Sequence, residues 1–206
     1  MTPETLPVDS DDTRERLIAA ATRQFAERGF YGASIAQIAG EVGLTKQALL
    51  YHFKRKDELY SEVIRRIAQR LQAAMAERAS ASHSPEQRFE DMLMGFYETA
   101  QANPLDARIL MRELLDDQRR DAPEKEWHIR ATLNRIVDTL NEIPGMERLS
   151  FAQKFARIFT AVSAVEYFTG SQTALRRFYG EDGLAEITDA YPDELRRQLR
   201  RIVTEH

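Results

Sequence analysis

The chain has 206 residues, no cysteine, 30% charged and 43% hydrophobic residues, and a formal net charge of -4. That length can bury a core without staples, and the absence of cysteine removes disulfide scaffolds, cysteine-ligated zinc, iron–sulfur clusters and thiol catalysis together. No run of 18 apolar residues is present, and Met1 to Asp12 lacks the basic and apolar regions of a secretory signal, so a cytoplasmic protein with no membrane partner is expected. Only 9 glycines and 7 prolines interrupt the chain, which points to an all-α fold. Charge is unevenly spread: residues 11–78 carry 12 basic against 9 acidic side chains, and residues 79–206 carry 17 against 22. The mildly basic front marks where a nucleic acid would bind.

Residues 1–12 read as a flexible tail. From Thr13, Leu17, Ile18, Ala21 and Phe25 form one helical stripe, capped by Asp11 or Asp12 and stopped by Gly29. Phe30-Tyr31-Gly32 reads as an aromatic turn. Ser34 then caps a short helix with Ile35, Ile38, Ala39 and Val42 on one side and Gly43 at its end. Thr45 caps a third helix from Lys46 to about Phe53. Asp57 opens a fourth, in which Leu59, Val63, Ile67 and Leu71 recur every four residues as far as Arg78.

Residues 79–84 form the best linker, and Ser84-Pro85-Glu86-Gln87 reads as a capping box with proline at the first helical position. The helix behind it holds Phe89, Leu93, Phe96 and Ala100, and ends at Asn103-Pro104. A further helix carries Ile109, Leu110, Leu114 and Leu115 and stops within 116–122. Pro123 starts a long one through Trp127, Leu133, Ile136, Val137 and Leu140. A second capping box, Ser150 to Gln153, opens a strongly apolar helix to about Gly170. After a helical or irregular stretch at 174–178, Pro192 precedes a final helix with Leu195, Leu199 and Ile202.

The informative spacing is Ala39, Gly43, Leu44 and Leu49. A small residue allows close helix approach, a glycine makes the turn, and apolar positions lock two helices at a steep angle, as a helix-turn-helix requires. The outward face of the second helix is then available to a major groove. In context, with Phe25-Ala26-Glu27-Arg28-Gly29-Phe30 before it and Tyr51-His52-Phe53-Lys54-Arg55-Lys56-Asp57-Glu58-Leu59 after it, residues 13–63 resemble the DNA-binding domain of the TetR family of bacterial transcriptional regulators.

That resemblance implies a three-helix DNA-binding head over residues 13–56, a connecting helix over 57–78, and a helical body over 79–206 that dimerises and binds a small-molecule effector. Ser34 matches a phosphate-binding hydroxyl at the start of the positioning helix. Thr45, Lys46 and Gln47 match the start of the recognition helix, where Gln47 can pair with adenine and Lys46 can reach guanine or phosphate. Tyr51 and His52 match the aromatic end of that helix, and Lys56 a phosphate-contacting lysine. The chain departs from the family at Leu50, where many members carry tyrosine. The contact is lost there or moves to Tyr51, or Leu50 touches a thymine methyl. Double-stranded DNA with a palindromic operator is the implied partner, and two heads spaced by dimerisation would read it. The rival reading is an all-helical interaction or scaffold protein without sequence-specific DNA binding.

In the body, residues 151–170 are apolar on more than one face, so the helix must be covered on both sides. Ala152, Ala156, Thr160, Ser163 and Ala164, with Leu195, Leu199 and Ile202 of the final helix, are the candidate dimer interface. Arg196, Arg197, Arg200 and Arg201 read as a solvated, ion-paired face. Met92, Phe96, Met111, Trp127, Phe159 and Tyr167 are candidate pocket residues, and Tyr97, Asn134 or Glu166 could orient a ligand. The four histidines form no metal-ligand pair, no cofactor motif occurs, and the lone carboxylate Glu166 on an apolar helix does not make an active site. No cofactor, metal or enzymatic activity is expected. Any effector is expected to act through the helix 57–78.

Overall fold

The computed structural model describes residues 10–80, 84–115 and 128–204. The described residues form eight α-helices: α1 (Ser10–Gly32), α2 (Ile35–Glu41), α3 (Lys46–His52), α4 (Lys56–Ser80), α5 (Pro85–Ala102), α6 (Pro104–Leu115), α7 (His128–Thr139) and α8 (Phe151–Thr204). Two short 3-10 turns, Leu140–Glu142 and Met146–Arg148, join α7 to α8. The chain divides into two compact units, residues 1–66 and 67–206, with the division inside α4.

In the first unit, α1 begins at Ser10, so Ser10 to Asp12 are helix and not tail. Asp11 and Asp12 occupy the first turn rather than a cap position, where their charge complements the unsatisfied N–H groups of the helix start. The helical backbone breaks at Gly29. Leu17, Phe25, Ile38, Leu49, Leu59 and Val63 are fully buried, one or two from each of the four helices. Phe25 and Phe30 meet the Tyr60 ring edge-on at 4.8 and 5.2 Å. A charge cluster ties α1 to the start of α4. Glu62 accepts hydrogen bonds from Arg14 (3.1 Å), Arg65 (2.7 Å) and Arg66 (2.9 Å), and Arg66 also reaches Glu15. Hydrogen bonds from Arg65 first, then from Arg66 and Arg14, hold the Glu62 carboxyl down at about 2.

In the second unit, both expected capping boxes form in part or in full. Ser84 Oγ accepts from the Gln87 N–H at 3.2 Å; Ser150 and Gln153 exchange bonds in both directions. Gly95 is a contact glycine: a Cβ there would lie 2.8 Å from the Ala74 carbonyl oxygen, so its absence lets α5 and the later part of α4 approach closely. Arg70 pairs with buried Asp106 at 2.6 Å, and Gln72 donates to Thr132 at 2.8 Å.

The last expected boundaries differ. α8 continues through Gly170 and Pro192, and its helical backbone breaks at Gly180 instead. Gly170 sits inside the helix with its bare Cα against the Met111 sulfur, where a Cβ would lie 2.7 Å away, so glycine there serves packing and not a stop. Pro192 forfeits one helical hydrogen bond but ends nothing. At Gly180 the chain doubles back, so Tyr191 stacks on Phe168 at 3.8 Å and on Tyr97 at 5.5 Å. The start expected for α7 at Pro123, including Trp127, lies outside the described residues.

Candidate functional site

The turn between α2 and α3 closes as the spacing demands. Gly43 has φ 75°, a conformation costly for any residue with a Cβ. The Leu44 N–H donates to Ala39 O at 2.9 Å and the Gly43 N–H to Gly40 O at 3.1 Å. This paired pattern satisfies the carbonyls at the end of α2. Thr45 then caps α3 by accepting from the Ala48 N–H at 3.2 Å. Leu49 is fully buried and Phe53 nearly so, which fixes the rotation of α3. α1 steadies α2 from outside through Arg23 to Glu41 (3.1 Å), Arg28 to Gln37 (3.1 Å) and Arg16 to Val42 O (3.0 Å).

With that rotation, Thr45, Lys46, Gln47 and Tyr51 all face outward. Tyr51 is 85% exposed, and its ring meets only the edge of His52, at 5.5 Å. Lys46 and Gln47 take no hydrogen bond or ion pair from the described residues. Leu50 and His52 are half-buried along the flank. Ser34 is the N-cap of α2, yet its side chain makes no capping bond, leaving the hydroxyl uncommitted within the fold.

Lys56, the first residue of α4, is half-buried with its ammonium over the Phe30 ring, 4.6 Å from the centroid. Burial pulls its pKa below the usual lysine value, against an opposing pull from Asp57. Phe30 is a positioning residue that sequence reasoning treated only as a turn. The two residues are 26 apart, and only the fold brings them together. Lys54 and Arg55 are exposed beside it. The Lys54 N–H donates to Glu58 at 3.1 Å, which caps α4 and leaves the Lys54 ammonium outside.

The second unit contains a separate feature, an apolar cavity of about 440 Å³ among α4, α5, α6, α7 and α8. Of the expected pocket residues, Phe96, Met111, Phe159 and Tyr167 line it, as does Glu166. Trp127 lies outside the described residues. Met92 does not reach the cavity. It sits one helical turn before Phe96 and is buried facing a different groove, beside Met75 and Gln72. Tyr97 is spent on the Tyr191 stack, and Asn134 does not line the cavity. Sequence reading missed Ala68, Leu71 and Thr132 as lining residues. The signal for α7 was present in Ile129, Thr132, Leu133 and Ile136, spaced i, i+3, i+4, i+7 on one face.

Glu166 is 5% exposed, and its Oε2 has no hydrogen-bond partner among the described residues. Desolvation, aided by the nearby charge of Asp106, pushes its pKa up to about 7.

Along α8, Ala152, Ala156 and Thr160 are exposed, and Ser163 and Ala164 are half-buried. Phe151, Phe155 and Phe159 stack in sequence beside them at 5.9 and 5.6 Å. Leu195 and Leu199, expected at a dimer interface, are instead 3% and 0% exposed and consumed by the chain's own core. That segment is clamped to α5, with Arg196 and Arg200 pairing with Glu90 at 3.1 and 2.7 Å. Ile202 is half-buried, and its carbonyl accepts from Arg157 at 2.6 Å.

Among the described residues no cluster could hold a metal ion, and no helix is long and apolar enough to cross a membrane. Residues 17–63 match the sequence profile of the bacterial regulatory proteins of the tetR family. The chain is 23% identical over 137 residues to the HTH-type transcriptional activator FasR of Mycolicibacterium smegmatis, covering 66% of this chain and 63% of that protein. It is 35% identical over 75 residues to the HTH-type transcriptional regulator LmrA of Bacillus subtilis, covering 36% of this chain and 40% of that protein. The matched part therefore spans less than two thirds of either relative. In fold, the chain is similar to a TetR-like transcriptional regulator from Rhodococcus sp. RHA1 with a TM-score of 0.71 at 19% identity, covering 98% of this chain and 100% of that one. The helix-turn-helix at residues 17–63 is thus that of the bacterial regulatory proteins of the tetR family, and the whole chain shares their fold.

Proposed function

We propose that this chain is a DNA-binding transcriptional regulator that acts as a homodimer on a palindromic operator and is released by a small-molecule effector. One observation carries the DNA reading. Helix α3 is locked by buried Leu49 and capped by Thr45, yet it turns Lys46, Gln47 and Tyr51 to solvent, where Lys46 and Gln47 serve no contact that would explain them. A helix presenting polar, hydrogen-bonding side chains from a rigid turn has the form needed to read base edges. Ser34 and Lys56 flank it as phosphate contacts, and Lys54 and Arg55 add attraction that weakens with salt.

The exposed stripe of Ala152, Ala156 and Thr160, beside the Phe151 and Phe159 rings, supports pairing with a second copy. Small side chains permit close helix approach, and the rings supply apolar area. The cavity among α4 to α8 supports an effector site. α4 holds Lys56 at its first residue and carries Ala68 and Leu71 in the cavity wall, so one helix joins a DNA contact to the ligand site. An effector that favours the DNA-incompetent arrangement of the heads would then lower operator affinity.

The test is a mobility-shift titration of the full chain on an inverted repeat taken from upstream of its own gene, at two salt concentrations. Sedimentation of the complex is run in parallel. Two chains per duplex and a steep loss of affinity with salt are expected. A chain that bound no duplex, or bound all sequences alike, would refute the reading.

A further inference from the structure

The cavity in the body carries a chemical preference. Its wall is hydrocarbon and aromatic, and Glu166 is the one charged side chain among the described residues that line it. Thr132 cannot serve as a donor to a guest, because its hydroxyl already donates to His128 O at 3.2 Å while accepting from Gln72. Glu166 is different: a carboxyl nineteen-twentieths buried, with one oxygen lacking any partner. A polar atom left so costs free energy unless something that binds there satisfies it.

The charges around Glu166 decide what that something is. Asp106 of α6 acts on it as a like charge, and the balancing cation, Arg70 of α4, is already bonded to Asp106 at 3.1 and 2.6 Å. Glu166 therefore feels the charge of a second carboxylate whose own cation is committed to that carboxylate. An anionic headgroup would add a third negative charge to a medium that screens poorly. A cationic headgroup would leave the set balanced, give Oε2 a charge-assisted hydrogen bond, and lie near the rings of Phe96, Phe159 and Tyr167.

We infer that the body's ligand is an apolar amine: a hydrocarbon or aromatic skeleton filling the cavity and one protonated nitrogen paired with Glu166. This rests on the reading of the cavity as the effector site.

The experiment titrates the full chain by calorimetry at a mildly alkaline pH with two matched sets of probes. One set is 4-phenylbutylamine, 4-phenylbutanol and 4-phenylbutyrate; the other is hexylamine, hexanol and hexanoate. Within each set only the headgroup changes. The amine is expected to bind at least tenfold more tightly than the alcohol, and the acid most weakly. In Glu166→Gln the amine should fall to within about threefold of the alcohol. The alcohol should still bind this variant, which shows that the cavity remains formed. Acid or alcohol binding as tightly as amine in the native chain would overturn the amine inference while leaving the effector site standing. An amine preference that survives Glu166→Gln would also overturn it. Failure of all six probes to bind would overturn both.

Discussion

Replacing Glu166 by glutamine removes a buried ionisable group while keeping its size and shape. The native carboxyl titrates at about 7 in the fold against 4.5 for an ordinary glutamate, chiefly because burial disfavours its charge. Its proton is therefore held more tightly in the folded chain than in the unfolded one. Below about pH 4.5 both states are protonated and the group is neutral with respect to stability. As pH rises from there, only the unfolded state ionises, and the native chain loses stability until pH passes about 7. The difference between about 7 and 4.5 corresponds to about 3 kcal/mol. Glutamine does not ionise, so Glu166→Gln should match the native chain near pH 4 and exceed it by about 3 kcal/mol near pH 8. The relief includes the loss of repulsion with Asp106. Urea unfolding at several pH values, at one fixed protein concentration, measures it. A difference that stayed flat with pH, or grew toward acid, would refute the assignment of Glu166 as a buried, unsatisfied carboxyl.

Four other changes test other parts of the molecule. Lys56→Ala should weaken binding to every duplex alike and reduce the slope of log affinity against log salt by about 0.9, as read from mobility shifts across a salt series. Gln47→Ala should cost about 1–3 kcal/mol at one operator position and relax preference there alone, as read from a panel of single-base operator variants. Glu62→Gln should remove stability that the native chain holds above about pH 4.5 and loses as pH falls toward 2; the partly solvated cluster makes this about 1–2 kcal/mol, seen as a smaller acid-induced drop in urea midpoint. Gly95→Ala should destabilise the chain by about 1–3 kcal/mol, because its Cβ would press on a backbone carbonyl that cannot swing aside; thermal unfolding reads this directly.

Much of the head was legible before any coordinates, because its rules are local. Gly43 sits where a positive φ is needed, Thr45 where an orphan N–H needs an acceptor, and Leu49 three positions into a helix that must bury one side. Each depends on residues within a turn or two. What escaped was non-local or compensated. The partner of Lys56 is an aromatic ring from the end of α1. Gly170 looked like a stop but answers to Met111 across the helix packing, and Pro192 looked like a start but sits inside α8. Leu195 and Leu199 were read from amphipathicity, which states that a face is covered and not by what. Their cover is the chain's own α5, fastened through Glu90. Glu166 stood out as an odd carboxylate on an apolar helix, yet its unmatched oxygen and the nearness of Asp106 emerge only from the fold.

The ring beneath Lys56 has an outcome for genetics. A cation resting on an aromatic face has already shed part of its hydration and given up much of its rotational freedom, so docking against a backbone oxygen asks less of it. Under the proposed function, Phe30 tunes the grip of Lys56 on the duplex through the ring it places beneath the ammonium. Screens that equate lost repression with direct contact would enrol it falsely, and Phe30→Leu, which keeps the grease but loses the π cloud, separates the two cases.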